Sequence, residues 1–390
     1  MHGSLHPASP GIGTGAPGSD RHGFIQVGRA LAALAVVVVH SRTVADGIDL
    51  TPYRHGLGSF GQAGVDLFFV ISGFILSMVL DRRPSTATFV GRRLARIVPC
   101  YWLFTIAALV VGMVEAAPLP GPARLARSLL ILPQADMPVL GVGWSLEHEV
   151  IFYTIAALLL AVRRVAWLFP VMASLSIASV AVHLFAPRQV DAGQDFHLLS
   201  LYHVQFFLGV ALYRYRTTMA RWRSRWLPIV GIMLFPVTGA VLQLLYQTIV
   251  PAQPAGWLGI VRVTLWGLSS ALVLTGLLAW EDRRPAACRT KLVRACTAIG
   301  DASYTLYLSH PIILALVGHG LRTIWPAGWP AVVAQAIAAG AAIGFALLFY
   351  RFCEQPLLAR LGRGLAGAQR EGRTLSGPVT CATGWKRTSA

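Results

Sequence analysis

Ionisable side chains stand inside several long apolar segments of the sequence, where they are costly and usually kept for function. Arg29 and His40 lie in the first such segment, about three helical turns apart, and so project from one face roughly 16 Å apart along the axis. Because the two share a face, the pair favours a polar channel. The alternative is an arginine that reaches the lipid interface and a histidine bonded to a neighbouring helix.

Two carboxylates are predicted near the depth of His40. Asp66 lies near the start of the second apolar segment, where it can pair with His40 or Arg262, or simply favour the start of a helix. Glu149 follows Ser145 by four residues in the fourth segment, so the two share a helical face. A buried carboxylate beside an imidazole is a plausible acid–base pair.

Two arginines precede the third apolar segment. Arg93 and Arg96 are three residues apart and share a helical face just before Tyr101, at the predicted cytoplasmic mouth of the passage. Guanidinium forks bind phosphate groups bidentately. The alternative role for this pair is to set topology and to bind lipid head groups.

Further histidines stand in later segments. Pro311 frees a backbone carbonyl one turn earlier and can kink the ninth segment, so His310 either serves the same passage or holds the broken helix together. We expect His148, together with its neighbour Glu147, at the interface. We expect His197 and His203 to be bonded in helix contacts. No cluster has the spacing of a metal site, so none is predicted.

The composition indicates a membrane protein. Of the 390 residues, 55% are hydrophobic and 13% are charged, whereas soluble proteins carry about 25% charged residues. The mean hydropathy is +0.61. The formal charge of +17 is carried by short loops between apolar segments, which excludes nucleic-acid binding in favour of membrane topology.

The fold class predicted from hydropathy is all-α, a polytopic bundle of about ten transmembrane helices, each of roughly 20 residues. The predicted spans are 25–43, 61–80, 98–116, 143–161, 165–186, 197–213, 227–248, 257–280, 302–321 and 330–350. Residues 1–23 and 358–390 lack an apolar run, and we expect two disordered cytoplasmic tails. The alternative for residues 1–23 is that the start codon is assigned too early.

The basic residues predict the orientation. Most of the 33 Lys and Arg residues fall in the tails and in alternate loops on one side of the predicted membrane. The opposite side holds Arg42, Arg54, Arg124, Arg127, Arg188 and Arg322. This bias places both termini in the cytoplasm and the protein in the inner membrane as a multi-pass protein.

Six motifs in the same order resemble those of the acyltransferase family 3 membrane proteins, close to exopolysaccharide-modifying acetyltransferases. They are the Arg29–His40 pair, GVDLFFVISGFIL at 64–76, RRLARIVPCYW at 92–102, WSLEHEVIFY at 144–153, YTLYLSHP at 304–311 and YRFCEQPL at 350–357. The resemblance covers residues 24–357. Many relatives have Ser-Val-Glu-Glu after Trp-Ser-Leu; here the acid that matches the family's key carboxylate is Glu149, and the role of Glu147 is open.

The resemblance implies transfer of an acyl group, often acetyl from acetyl-CoA, to a hydroxyl of a cell-surface or exported carbohydrate. Acyl-CoA is then a donor substrate, and no permanently bound cofactor is expected. Arg93 and Arg96 would hold the CoA phosphates, and Arg29 would guide the thioester arm. The remaining substrate contacts would come from Trp144, Ser145, Tyr101 and His310.

The resemblance also implies a catalytic group. His40 would remove a proton from the sugar hydroxyl or carry the acyl group transiently. Glu149, together with Asp66, would orient the imidazole and balance its charge. The main alternative is a proton-coupled secondary transporter of a glycan intermediate, because intramembrane His, Asp and Glu also suit a proton relay; the sequence shows no convincing internal repeat of the kind such transporters often carry.

Overall fold

The computed structural model describes residues 23–45, 61–186, 197–219, 224, 226–246, 255–283, 290–325 and 330–363. Within these ranges the regular structure is helical and contains no strand, which confirms the all-α class. The helices are α1 (Gly23–Ala45), α2 (Ala63–Asp81), α3 (Thr86–Val114), α4 (Pro122–Leu129), α5 (Trp144–Ala161), α6 (Leu168–Phe185), α7 (His203–Arg214), α8 (Leu227–Tyr246), α9 (Gly256–Arg283), α10 (Lys291–Asp301), α11 (Ser303–Ile324) and α12 (Ala331–Phe349).

Eight helices in the described ranges are long and apolar enough to cross a membrane: α1, α2, α3, α5, α6, α8, α9 and α12. Helix α7 has 12 residues, about 18 Å, and is shorter than a span of roughly 20 residues. Helix α11 has 22 residues, but polar side chains such as His310 and His319 lower its hydropathy. The protein is therefore a multi-pass membrane protein, while the count of about ten spans and the orientation stay predictions.

Helix α1 contacts five other helices, namely α2, α9, α10, α11 and α12. Helix α12 turns a stripe of small residues toward its neighbours. The stripe comprises Ala331, Ala334, Ala338, Ala342 and Ala346. Small side chains let membrane helices approach closely, so this stripe lets α12 pack against α1 and α11.

Helices α2 and α7 touch through paired glycines. A Cβ atom on Gly73 would meet the carbonyl oxygen of Phe206 and would lie 3.1 Å from the Cα atom of Gly209. A Cβ atom on Gly209 would in turn meet the backbone of Val70 and Phe74. Any larger residue at either glycine would push the two backbones apart.

Helix α5 begins beside the middle of α3. Helix α3 has 29 residues, about 43 Å. Its Tyr101 is 1% exposed and lies against the turn before α5, since a Cβ atom on Gly143 would be 2.9 Å from the Tyr101 hydroxyl. The expectation that Tyr101 lies at the mouth of the passage is therefore wrong.

The chain continues as a helix beyond α12. A π-helical turn, Tyr350–Glu354, follows α12 directly, and the helix then runs to residue 363. The first residues of the predicted tail 358–390 are thus helical. Residues 1–22 and 364–390, which hold most of both predicted tails, lie outside the described residues.

Candidate active site

A cavity of about 310 Å³ lies between α1, α2, α3, α5 and α11 and is bordered by the helix that follows α12. On α2 its lining runs from Val65 to Met78, about 20 Å, so the cavity is elongated. The sequence-predicted residues that line it are Arg29, Arg93, Arg96, Ser145 and Glu149. The structure therefore brings together five of the ten candidate residues.

The arginines give one wall of the cavity a positive charge. The Arg93 guanidinium carbon lies 4.9 Å from the centroid of the Tyr153 ring, within range of a cation–π contact. Arg29 donates from Nη1 to the Gln26 side-chain oxygen over 3.2 Å. The Arg29 guanidinium is also repelled by Arg96 and attracted by Glu149.

Glu149 also lines the cavity and is held by two hydroxyl groups that sequence reasoning missed. The Tyr153 hydroxyl donates a hydrogen bond to the Glu149 carboxylate, and Ser72 donates from Oγ to the same oxygen over 3.3 Å. Tyr153 stands four residues after Glu149, on the same helical face. That spacing, within the quoted motif at 144–153, was the available signal.

His40 and His310 form a second polar group. Their ring centroids are 4.9 Å apart. The Nδ1 atom of His40 lies 2.8 Å from the Val36 carbonyl oxygen, and that of His310 lies 3.0 Å from the Leu306 carbonyl oxygen. Because a carbonyl only accepts, each Nδ1 carries the hydrogen, and in the neutral rings each Nε2 keeps its lone pair.

Aromatic rings connect the cavity lining to the two histidines. Tyr307 and Phe68 both line the cavity, and their ring centroids are 5.9 Å apart. The Tyr307 ring centroid lies 6.0 Å from that of His310. The His40–His310 pair therefore lies next to the Tyr307 ring, which links it to the cavity lining.

The expected pair of His40 with Glu149 is not among the contacts of the described residues. Glu149 lines the cavity with Arg29, whereas the ring contact of His40 is with His310. The prediction assumed that α5 begins at the outer boundary of the membrane. Because α5 instead begins beside the middle of α3, Glu149 lies nearer Arg29 than was expected.

Asp66 is paired with Arg262, which was one of the two predicted partners. Its carboxylate lies 3.3 Å from Arg262 Nη2 and accepts a hydrogen bond from Gln205 Nε2 over 2.7 Å. Asp66 and Arg262 are both 0% exposed. These residues join α2, α7 and α9 away from the cavity lining, so the predicted grouping of Asp66 with Glu149 and His40 is not assembled.

Asp66→Asn is expected to lower the free energy of unfolding by about 3–5 kcal/mol, because it leaves the Arg262 charge buried without a counter-charge. Asp81→Asn on the same helix is the control, since Asp81 meets Arg216 at an exposed 3.7 Å pair worth roughly 0–1 kcal/mol. Thermal unfolding of both purified variants measures the difference. If Asp66→Asn unfolded like the wild type but lost its activity, Asp66 would act at the functional site instead.

Trp144 packs within an aromatic cluster rather than lining the cavity. Its ring centroid lies 5.3 Å from that of Tyr202 and 6.5 Å from that of Phe69. Phe69 itself lines the cavity. Trp144 therefore packs against Phe69, a residue of the cavity lining, without lining the cavity itself.

Glu147 and His148 are buried, which corrects their expected place at the interface. The Glu147 carboxylate lies 2.8 Å from His197 Nε2 and accepts a hydrogen bond from Gln134 Nε2 over 2.9 Å. The histidine rings of residues 148 and 197 have centroids 4.5 Å apart. This network connects the start of α5 to the segment before α7, so Glu147 has a structural role.

Glu354 is a cavity residue that sequence reasoning missed. It is 1% exposed, lines the cavity and accepts a hydrogen bond from the Thr305 hydroxyl. It ends the π-helical turn, and turns of this kind are frequent at functional sites. The signal was the acid within the motif at 350–357.

A membrane-embedded helical bundle with an arginine-lined cavity beside two imidazoles has the groups that a transferase of charged donors needs. Comparison with known families gives the class directly, because the model described as an acyltransferase domain matches residues 22–351. The chain belongs to the acyltransferase 3 family. It is therefore a membrane acyltransferase.

Two curated proteins are similar over most of their length. The exopolysaccharide production protein ExoZ of Rhizobium meliloti (strain 1021) is 32% identical over 80% of this chain and 96% of its own. The acyltransferase MdmB of Streptomyces mycarofaciens is 26% identical over 86% of this chain and 90% of its own. No solved structure matches the chain.

Proposed function

We propose that this enzyme transfers an acetyl group from acetyl-CoA to a hydroxyl of a cell-surface or exported carbohydrate, in the inner membrane. The observation that carries the proposal is the elongated cavity lined by Arg29, Arg93, Arg96 and Glu149, with two imidazoles beyond its aromatic end. The similarity to a protein named for exopolysaccharide production supports the acceptor class.

The donor binds with its phosphates at the arginine-lined part of the cavity. Arg93 and Arg96 supply guanidinium groups for the phosphates, and Arg29 meets the thioester arm further in. The positive-inside bias of the loops supports a cytoplasmic entrance. This arrangement lets a cytoplasmic donor reach an acceptor on the far side of the membrane.

His40 acts as the general base. Its Nε2 takes the proton of the carbohydrate hydroxyl while the oxygen attacks the thioester carbonyl carbon. The new C–O bond forms as the C–S bond breaks, and the proton passes to the departing CoA sulfur. The hydrogen bond to the Val36 carbonyl orients the ring and fixes its tautomer.

Glu149 balances the charge of Arg29. Without an acid nearby, Arg29 and Arg96 would repel each other across a small cavity. The hydrogen bonds from Tyr153 and Ser72 hold the Glu149 carboxylate in one orientation while it balances this charge. Glu354 and Asp301 add further negative charge to the lining.

The test is transfer of label by the purified protein in lipid nanodiscs. Acetyl-CoA labelled in the acetyl group is supplied with carbohydrate precursors extracted from a strain that lacks the gene. We expect label in alkali-sensitive esters on the carbohydrate, with release of an equal amount of CoA. Movement of the glycan across a sealed vesicle without ester formation would instead support the transporter alternative.

Arg96→Ala is expected to raise the KM for acetyl-CoA about 10- to 100-fold, because a hydrogen bond to a charged group is worth roughly 1.5–3 kcal/mol. Initial rates over a range of donor concentrations measure it. Arg92→Ala is the control, since Arg92 is exposed on the same helix. Acetyl-pantetheine, which lacks the nucleotide phosphates, should be used equally by wild type and variant; an equal loss with both donors would contradict phosphate binding by Arg96.

A further inference from the structure

The end of the cavity nearest the histidines is formed by aromatic rings. Phe68 and Tyr307 line this end together with Val65, Phe69 and Ser145. The two rings meet edge to face with an interplanar angle of 76°. Beyond Tyr307 lies the His310 ring.

Tyr307 is held in place by hydrogen bonds at its hydroxyl. That oxygen lies 2.8 Å from Ser145 Oγ and donates to the Val142 carbonyl over 3.1 Å. Tyr307 is 8% exposed. A side chain held at both its ring and its hydroxyl keeps one rotamer, so this part of the wall has a fixed position.

Phe68 is fixed by packing. It is partly buried and packs against three apolar clusters, one built around α3, α5 and α7, one around α2 and α9, and one around α1 and α12. A ring at such a junction cannot swing aside without opening several contacts. The remaining surface of the ring faces the cavity.

We propose that Phe68 and Tyr307 select the length of the acyl chain and restrict the enzyme to short acyl groups such as acetyl. The inference rests on the proposed function, in which the thioester reaches this end of the cavity. A methyl group beside the carbonyl fits against the two rings. Each further methylene of a longer chain meets a ring that cannot move away.

The size of the expected effect follows from pockets of this kind. One methylene that does not fit an apolar pocket changes kcat/KM by about 10- to 200-fold. The wild type is therefore expected to use butanoyl-CoA at least about 10-fold less well than acetyl-CoA. Opening the pocket by the volume of a ring should remove most of that preference.

Phe68→Ala is expected to raise the ratio of kcat/KM for butanoyl-CoA to that for acetyl-CoA by about 10- to 100-fold. Ring removal leaves room for the extra methylenes. The purified enzyme is assayed with acetyl-, propanoyl-, butanoyl- and hexanoyl-CoA and one carbohydrate acceptor. Phe68→Leu opens the pocket less and packs better, so it should give a smaller rise in this ratio. It replaces Phe68→Ala in the test if that variant does not fold.

Ile75→Ala is the matched control. Ile75 lines the same cavity two turns along α2, away from the ring pair, and its truncation should leave the butanoyl-to-acetyl ratio unchanged. A wild type that uses both donors equally would overturn the proposal, as would an unchanged ratio in Phe68→Ala and Phe68→Leu or an equal rise in Ile75→Ala. A wild type that transfers no acyl group from any CoA ester would remove the proposed function itself.

Discussion

His40→Ala is expected to lower acyl transfer by about 10²- to 10⁴-fold, the contribution of a positioned general base. The structure gives the reason. The His40 Nδ1 is engaged by the Val36 carbonyl, so its Nε2 holds the lone pair that receives a proton. The neighbouring His310 ring presents a second Nε2, which is without a hydrogen-bond partner among the described residues.

The measurement is acyl transfer by His40→Ala compared with a control variant of another histidine that has the same local geometry. His183 on α6 also places Nδ1 2.8 Å from the carbonyl oxygen four residues earlier, is 3% exposed and does not line the cavity. His183→Ala should retain transfer per folded molecule. Full transfer by His40→Ala, with normal insertion, would contradict the assignment of the base.

Glu149→Gln is expected to lower kcat/KM by about 10²- to 10³-fold, the usual cost of removing one preorganised electrostatic group from an active site. The amide keeps the shape of the carboxylate and its ability to accept from Tyr153 and Ser72. It removes the negative charge that attracts Arg29. The loss would therefore report charge balance in the cavity rather than packing.

Glu147→Gln is the matched control, because Glu147 is a buried carboxylate two residues before Glu149 on α5. Glu147 bonds His197 and Gln134 and does not line the cavity, so its variant should unfold at lower temperature yet transfer acyl groups normally per folded molecule. Steady-state kinetics and thermal unfolding of both variants distinguish the two roles. The reverse result would make Glu147 the functional acid of this unusual Glu-His-Glu sequence.

Hydropathy alone predicted most of the helices. The predicted spans 25–43 and 61–80 lie within or beside α1 and α2, because a bilayer requires long apolar segments whatever their neighbours. The segment 197–213 failed as one long span, since it divides into the short turn His197–Leu199 and α7. Hydropathy cannot show that this short apolar helix packs against α2 through the contact of Gly209 with Gly73.

The depth of α5 could not be predicted either. It depends on the contact of Tyr101 with Gly143, two residues far apart in sequence. A pattern within one segment gives the helical face of Glu149 but not its height against α1. This is why Ser145 and Glu149 face one cavity as predicted, whereas the expected contact of Glu149 with His40 is not among those of the described residues.

Charge was a good guide to the cavity and aromaticity was not. Arg29 stands out because charged groups in apolar segments are rare. Arg93 and Arg96 stand out because they share a helical face just before such a segment, and all three arginines line the cavity. Phe68 and Tyr307 resemble ordinary core residues in the sequence. Their place at the end of the cavity follows only from the three-dimensional contact between the two rings.

The glycine contact between α2 and α7 bears on how a bulky donor could enter. Because Gly73 and Gly209 bring the two backbones together without side chains between them, α2 has no compressible layer behind it. The other side of α2 lines the cavity. Helix movement during turnover is therefore expected at α12, whose buried face is made of alanines, while α2 keeps its place against α7.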